Sequence, residues 1–421
     1  MDREPADDGR SGAAGGAGRA GEGATAVAGV ELAAVEAGIR YPDRRDLVAL
    51  RLARGTRAAA VFTRNAFCAA PVQVAREHLA ACAASPRLLL INTGNANAGT
   101  GAAGLAAARE CCAAAAAVAD VDTVEVLPFS TGVIGEDLPV ERITAALPRL
   151  VEVCHRDGWE DAGWGILTTD TRPKLASRSV EVDGQRIVIT GMAKGAGMLR
   201  PDMATMLAFI ATDAAIATPA LDALLRRAVD KSFHRITVDG DTSTNDAVVL
   251  VATGAAGNAA IEDRASQAAQ AFADALDDLC IELARGLVRD GEGVTRLVTV
   301  DVSAARTSRE ALDVAFTVAH SPLVKTALFA GDPNWGRILA AVGRAGVEDL
   351  DVAGVRITLG GEPVAEAGAR ARDYSEERVA AVMARDEIEL RIELGRGLER
   401  ETIWTSDLSY DYVKINAEYR S

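Results

Sequence analysis

A threonine that follows a glycine-rich loop is the residue of this chain whose position most favours covalent chemistry. Residues 194–207 read KGAGMLRPDMATML and lead through Ala204 and Thr205 into an apolar run. A threonine hydroxyl is a weak nucleophile, but a threonine at a new chain N-terminus carries its own base, since an α-amino group titrates at about 7.7–8.0. The pattern suggests a chain that cuts itself between Ala204 and Thr205, although this segment alone favours an ordinary loop before a strand.

Two further segments hold polar groups that a reaction could use. Thr131 and Gly132 follow an apolar run at 124–129, so their hydroxyl and amide are candidate donors to an oxyanion at a strand end. Taken alone, the residues favour a plain turn there. The segment 92–99, NTGNANAG, holds three asparagines whose amides suit either a loop that ties down backbone near a site or a purely structural turn.

Metal-binding and anion-binding patterns are weaker. The segment 237–246, TVDGDTSTND, is acidic enough for calcium but lacks the EF-hand spacing and its closing glutamate. The segment 331–337, GDPNWGR, could bind an anion through Arg337 or anchor a loop through Trp335. The six cysteines form no CxxC pair and the four histidines are scattered. We therefore expect reduced thiols and no metal site.

Composition indicates a globular protein. Of 421 residues, 49% are hydrophobic and 25% charged, and the net charge of −15 argues against nucleic acid or an anionic membrane as partner. The longest uncharged apolar run, residues 247–261, is shorter than the ~20 residues of a membrane span. Residues 1–28 are rich in Gly and Ala and predict a disordered tail rather than a signal peptide, which favours a cytoplasmic protein.

Strands and helices interleave along the chain. Asp183-Gly184 predicts a hairpin, and Thr218-Pro219 predicts the start of a helix. A second helix, with apolar residues from 272 to 287, ends before Gly291-Glu292-Gly293 and places Glu292 on a tight turn. Further strands are predicted at 206–211, 297–302, 355–359 and 388–394. The order has no regular βαβ period, so we expect an α+β fold with sheets packed between helices.

Eight motifs occur together in one order. They are NTGNANAGTG, STGVIGE, TTDTRPK, KGAGMLRPDMATML, RITVDGDTSTND, GEGVTRL, GDPNWGRI and SYDYVKINAEYRS. On these motifs, residues 27–421 resemble the ornithine acetyltransferase family, also called the glutamate N-acetyltransferase family. Any one motif would be weak, but the ordered set is specific.

The resemblance implies a self-cleaving N-terminal-nucleophile-type acyltransferase of arginine biosynthesis. After the tail, an α chain of residues 29–204 and a β chain of 205–421 would stay together, as an α2β2 heterotetramer. Thr205 would be the nucleophile, Thr131 and Gly132 the oxyanion hole, and Glu292 the group that holds or deprotonates the incoming amine. The implied substrate-site residues are Thr168, Lys194, Thr205, Glu292, Asn416 and Ser421.

The resemblance also implies the reaction, in which N2-acetylornithine donates its acetyl group to glutamate through a Thr205 ester. No bound cofactor or metal is implied, and acetyl-CoA is a possible co-substrate. The chain departs from the usual motif residues at Gly99, Ala196, Asp202, His234 and Gly331, and Ser421 replaces a usual Thr. These changes leave open a secondary-metabolism paralogue. A second alternative is an N-terminal-threonine amidohydrolase or aminopeptidase, in which water takes the acyl group. A third is a non-enzymatic binding module or subunit interface, which predicts an uncut chain without an acyl adduct.

Overall fold

The computed structural model describes residues 24–200 and 206–418. The predicted cleavage residues Ala204 and Thr205, and also Asp202 and Ser421, lie outside the described residues. The strands are β1 (Val30–Val35), β2 (Leu47–Leu52), β3 (Arg57–Phe62), β4 (Leu88–Asn95), β5 (Val126–Val133), β6 (Lys174–Val182), β7 (Gln185–Lys194), β8 (Leu207–Thr212), β9 (Ala247–Ala252), β10 (Leu297–Ala305), β11 (Arg356–Leu359), β12 (Glu362–Glu366), β13 (Ala369–Arg370), β14 (Glu387–Glu393) and β15 (Glu399–Ser406). The helices are α1 (Ala70–Ala81), α2 (Gly101–Ala119), α3 (Val140–Glu152), α4 (Trp159–Gly165), α5 (Thr218–Lys231), α6 (Gln267–Arg289), α7 (Ser308–Ala319), α8 (Pro322–Ala330), α9 (Trp335–Gly343), α10 (Glu376–Met383) and α11 (Tyr410–Glu418).

Two sheets stack face to face between two layers of helices. One sheet has the order β1-β2-β4-β5 and the other the order β3-β9-β8-β7-β6. Apolar side chains from both fill the space between them, where the rings of Phe129 and Phe209 meet edge to face with centroids 5.0 Å apart. Helices α2 and α3 cover the outer face of the first sheet, and α5 and α6 cover that of the second. The expected α+β fold with sheets packed between helices is confirmed.

The central strands of the second sheet explain why the chain folds this way. Every residue of β8 (LAFIAT) and β9 (AVVLVA) is buried, and the two strands are parallel. Strands with both faces covered read as continuous apolar runs rather than as alternating ones. Strand β7 pairs antiparallel with β8, in a register that sets Lys194 opposite Leu207. The glycine-rich loop therefore leaves the sheet at Lys194, beside the point where β8 begins.

A third sheet forms a separate core. Its strand order is β13-β12-β11-β14-β10-β15, and α7 to α10 pack on it. Strands β10 and β14 alternate as predicted, with Val298, Val300, Ile388 and Leu390 among the residues buried beneath the helices. The predicted strands at 297–302, 355–359 and 388–394 correspond to β10, β11 and β14.

Three local predictions can be compared with the structure. The hairpin is confirmed, since β6 and β7 pair directly across Asp183-Gly184. Helix α5 is also confirmed, but Thr218 is its first residue and Ala217 its N-cap. The predicted tail extends too far. Val27 is fully buried in the core and the Thr25 amide donates to Ser177 Oγ at 2.9 Å, so residues 24–28 are part of the fold.

Helix α2 is the one helix of the described residues that is long and apolar enough to cross a membrane by length and composition alone. It is rich in alanine and has Arg109 and Glu110 at its middle. Its residues Ala108, Cys111 and Ala115 are buried in the core that α2 shares with α3 and the first sheet. The helix therefore packs as a layer of the fold, which short alanine side chains permit.

Candidate active site

A fully buried lysine brings together three of the predicted site residues. Lys194 ends β7, and its ammonium donates to Thr168 Oγ1 at 2.8 Å and to Thr131 Oγ1 at 3.2 Å. The Asp170 carboxylate faces it at 3.8 Å. Thr131 belongs to the first sheet and Lys194 to the second, so the site lies where the two sheets meet at the ends of their strands.

Burial lowers the pKa of Lys194, and the charge of Asp170 opposes this effect most strongly. Lys174 lowers this pKa further, whereas Glu292 and Asp246 raise it. The carboxylate of Asp170, 3.8 Å away, favours the charged form of Lys194 in a region with little water, where an ammonium attracts an anionic group of a ligand more strongly than at the surface.

Gly132 is required by the backbone around it. It lies near the carboxyl end of β5, where the strand runs parallel to β4, with φ at +137°. A side chain would place its Cβ 2.3 Å from the carbonyl carbon of Gly94. Only glycine fits both the conformation and this close approach. Thr131, next to it, is buried and receives a hydrogen bond from Lys194, so its own hydroxyl proton remains available to a ligand.

Two other predicted site residues also meet each other. Glu292 lies on the turn after α6, as predicted, and is buried. Its backbone amide donates to the Ala196 carbonyl at 2.9 Å, which joins this turn to the glycine-rich loop. Asn416 of α11 donates from Nδ2 to Glu292 Oε2 at 2.9 Å. Thr131, Thr168 and Lys194 thus form one group. Glu292 and Asn416 form a second group, which the hydrogen bond from Glu292 to Ala196 attaches to the glycine-rich loop that follows Lys194.

The sequence interpretation missed the charged groups behind these residues. Asp170 and Lys174 belong to the motif TTDTRPK, from which only Thr168 was selected, and both are buried. Asp290 precedes Glu292 by two residues and binds Lys174. Such groups carry no sequence signal of their own, because a carboxylate near a lysine in sequence is usually a surface pair.

Asp246 was also missed as a site neighbour. It is fully buried, its Oδ1 accepts from the Met206 amide at 2.8 Å, and its Oδ2 has no hydrogen-bond partner among the described residues. Burial raises its pKa well above the usual value. A buried carboxyl therefore binds Met206, the residue that follows the predicted nucleophile and directly precedes β8.

The acidic segment 237–246 serves the loop beside the site. Asp239 accepts from the amides of Met198 and Leu199 at 2.6 and 3.0 Å, and Asn245 donates to the carbonyl of Ser130 at 2.9 Å. Within residues 24–200 and 206–418, no group of three or more His, Cys, Asp or Glu side chains is arranged to hold a metal ion. The acidic side chains instead bind backbone amides of the glycine-rich loop.

In two other segments that the sequence analysis selected, 92–99 and 331–337, the polar side chains bind backbone groups. In 92–99, Asn92 donates to the Asn95 carbonyl at 2.9 Å and Asn97 to that of Gly104 at 3.0 Å, so these amides tie down backbone. In 331–337, Asn334 caps α9, and Arg337 donates to the Leu323 carbonyl at 2.7 Å. These contacts favour the anchoring interpretation of GDPNWGR.

All six cysteines are free thiols, and burial raises the pKa of each.

A cavity of about 140 Å³ adjoins this group of residues. Gly132 and Thr168 line it, together with Arg40 and Arg44. Asp46 also lines it, and Arg40 is paired with Glu136 at 2.8 Å. The space suits a small molecule, and Arg44 and the nearby Lys194 favour a negatively charged one. A small cavity of this charge, at the edge of two stacked sheets, is typical of an enzyme that acts on a small anionic metabolite.

The chain belongs to the ArgJ family, whose model matches residues 31–421. The arginine biosynthesis bifunctional protein ArgJ of Pseudomonas syringae pv. tomato is 55% identical over 395 residues, which cover 94% of this chain and 97% of that protein. Its namesake in Methylococcus capsulatus is 54% identical, over 94% and 96% of the two chains. Ornithine acetyltransferase of Mycobacterium tuberculosis, solved with ornithine, is 35% identical over 42% of this chain and 94% of its own, with a TM-score of 0.38.

Proposed function

We propose that this enzyme transfers the acetyl group of N2-acetylornithine to glutamate and releases ornithine and N-acetylglutamate in arginine biosynthesis. The observation that carries the proposal is the buried Lys194 ammonium, held between the hydroxyls of Thr131 and Thr168. Both substrates are amino acids with a carboxylate that such a charge attracts. The bifunctional name of the relatives supports acetyl-CoA as a second acetyl donor for glutamate.

The nucleophile is Thr205, freed by cleavage of the Ala204–Thr205 bond. Attack of the Thr205 hydroxyl on the Ala204 carbonyl forms an ester that water opens, so residues 205–421 begin with the nucleophile and its own base, the α-amino group. The α chain is then residues 1–204, which include the tail and the folded part from residue 24 onward. Two described neighbours support this assignment, since Lys194 pairs with Leu207 and the Met206 amide binds buried Asp246.

In the first half-reaction, Thr205 Oγ attacks the acetyl carbonyl while its proton moves to the α-amino group. The Thr131 hydroxyl and the Gly132 amide stabilise the oxyanion; loss of one such donor typically costs about 10²- to 10³-fold in rate. The C–N bond breaks, and the ornithine amine leaves with the transferred proton. The amine of glutamate then attacks the ester carbonyl and gives up a proton to the α-amino group, which passes it to Thr205 Oγ as the C–O bond breaks. Glu292, held by Asn416, holds or deprotonates this incoming amine.

The expected partners follow from this reaction. They are the small molecules N2-acetylornithine and glutamate, together with the enzyme's own α and β chains, for which the resemblance to the family implies an α2β2 heterotetramer. The chemistry uses no bound cofactor or metal, because Thr205 and the oxyanion hole supply the nucleophile and the charge stabilisation. The family's role in arginine biosynthesis supports a cytoplasmic enzyme.

The test is the denatured mass of purified protein before and after brief exposure to N2-acetylornithine with an acid quench. We expect two species of roughly 21 and 23 kDa, in proportion to the two predicted chains, with acetyl mass added only to the heavier. Thr205→Ala should remain one chain without activity, whereas Thr205→Ser should still be processed. An uncut wild type that takes up no acetyl group would contradict the proposal, and free acetate formed without glutamate would indicate the amidohydrolase.

A further inference from the structure

One buried carboxylate holds both segments that carry Thr168 and Lys194. Asp170 accepts from the Thr168 amide through Oδ2 at 3.2 Å and from the Gly195 amide through Oδ1 at 2.7 Å. Its Oδ2 lies 3.8 Å from the Lys194 ammonium, and its side chain is fully buried. Asp170 therefore joins the backbone of the two segments and at the same time faces the lysine with its charge.

A second lysine extends this arrangement to the turn that carries Glu292. Lys174 binds Asp170 on one side and Asp290 Oδ2, at 2.6 Å, on the other. Asp290 also accepts from the Thr171 amide at 3.0 Å. We call Asp170, Lys174 and Asp290 the ion chain. Its members are all buried, so each charge depends on the others rather than on water.

The charges that face Lys194 come from four side chains: Asp170, Lys174, Glu292 and Asp246. Burial alone raises the pKa of Asp170, but Lys194, Lys174 and the Gly195 amide together lower it to about 2. Asp170 is therefore ionised throughout the working pH range. Asp246 is different, because burial raises its pKa. Among the groups that favour the charged form of Lys194, Asp170 acts most strongly.

We propose that Asp170 is a positioning residue that keeps the Lys194 ammonium both charged and aimed between Thr131 and Thr168, so that the site binds a substrate carboxylate over the whole working pH range. The inference rests on the proposed function, in which Lys194 binds that carboxylate. The contacts that carry it are the 3.8 Å approach to Lys194 and the two amide bonds on either side of the site.

The test is the pH dependence of KM for N2-acetylornithine in Asp170→Asn. Without this carboxylate the pKa of Lys194 falls further, because burial and Lys174 both lower it. A lysine is charged below its pKa, so substrate affinity is lost as the pH rises through the new value. We expect the KM of the variant to rise with pH by up to about tenfold per pH unit, and this rise to begin at a lower pH than in the wild type. Low pH should restore the affinity.

Asp290→Asn is the matched control. It removes the same charge from the ion chain, but from a carboxylate that is not among the groups facing Lys194. We expect its KM to follow the wild-type pH profile, even if its stability falls. A KM increase in Asp170→Asn that is the same at every pH would leave only a structural role and overturn the inference.

A second variant covers the case in which Asp170→Asn does not fold. Asp170→Asn/Lys174→Gln removes one charge of each sign and keeps the site's net charge. Asp170 acts on the pKa of Lys194 more strongly than Lys174 does, so this KM should also rise with pH, though less steeply. A flat profile here would contradict the inference. An inactive wild type would instead contradict the proposed function itself.

Discussion

Two lysines are buried to the same degree in different parts of the molecule, with 2% of Lys194 and 4% of Lys325 exposed. Lys325 of α8 donates to Thr405 Oγ1 at 3.2 Å, to Ser406 Oγ at 3.3 Å and to the Ser406 carbonyl. An ammonium has three donors, so Lys325 is saturated. Lys194 makes two such bonds within residues 24–200 and 206–418, and Asp170 lies beyond hydrogen-bond reach at 3.8 Å.

The difference shows that burial alone does not mark a functional lysine. Burial lowers the pKa of both, that of Lys325 to about 8. Lys325 uses all its donors to fasten α8 to the end of β15, whereas Lys194 has one donor without a hydrogen-bond partner in the described ranges. An unused donor on a buried cation is costly for folding, which supports the proposed role of Lys194 in binding a substrate carboxylate.

The largest expected effect is that of Lys194→Met. We expect kcat/KM to fall by about 10²- to 10³-fold, because the site loses the charge that attracts the substrate carboxylate. Steady-state kinetics, corrected for the folded fraction, measure this loss. Lys325→Met is the control and should keep the wild-type kcat/KM per folded molecule. Equal activity losses in both variants would remove the distinction between the two lysines.

Gly132→Ala tests the strand that presents Thr131 to Lys194. The new Cβ would lie 2.3 Å from the Gly94 carbonyl carbon at a φ of +137°, so we expect a loss of about 3 kcal/mol in the free energy of unfolding. Gly343→Ala, at the end of α9 in the other part of the molecule, meets no atom within 4 Å and should change stability by less than about 0.5 kcal/mol. Urea unfolding compares the two, and a tolerated alanine at 132 would refute the close approach.

Lys325→Met should act on stability where Lys194→Met acts on activity. It leaves the oxygens of Thr405 and Ser406 without their donor, and we expect the free energy of unfolding to fall by about 1–3 kcal/mol. Urea unfolding at pH 7 measures this. A variant as stable as the wild type would mean that Lys325 does not fasten α8 to β15.

The smallest effect is a pH dependence from the same lysine. Above about pH 8 the folded state releases the Lys325 proton, whereas the unfolded chain keeps it to about 10.4. The unfolded state then binds more protons, so stability contributed by this group rises with pH, by about 1 kcal/mol between pH 7 and 9. The difference between wild type and Lys325→Met in urea unfolding should grow over this range. A constant difference would contradict the assignment.

Much of the architecture could be predicted because it depends on local patterns. The hairpin at Asp183-Gly184, helix α6 and the alternating strand β14 follow from turn residues and apolar periodicity within a few residues. The tail boundary was misplaced because Val27 gains its burial from distant strands. Single buried residues without a repeating neighbour give no periodic signal.

The residues of the site also divide into those that could be predicted from the sequence and those that could not. Thr131, Gly132, Thr168, Lys194, Glu292 and Asn416 could be selected from motifs, and the structure shows the contacts that group them. Asp170, Lys174 and Asp290 could not, since in sequence they look like surface charges. Their role depends on segments more than a hundred residues apart meeting in a place without water.

The sequence by itself therefore determined the element types, the family and the residues able to do chemistry, because these are properties of side chains and their local spacing. Only the tertiary structure decided which lysine is saturated, which has an unused donor among the residues that the structure describes, and which carboxylates lose their water. Those properties arise from desolvation and from the distance between charges on separate strands, and neither is set until the two sheets pack together.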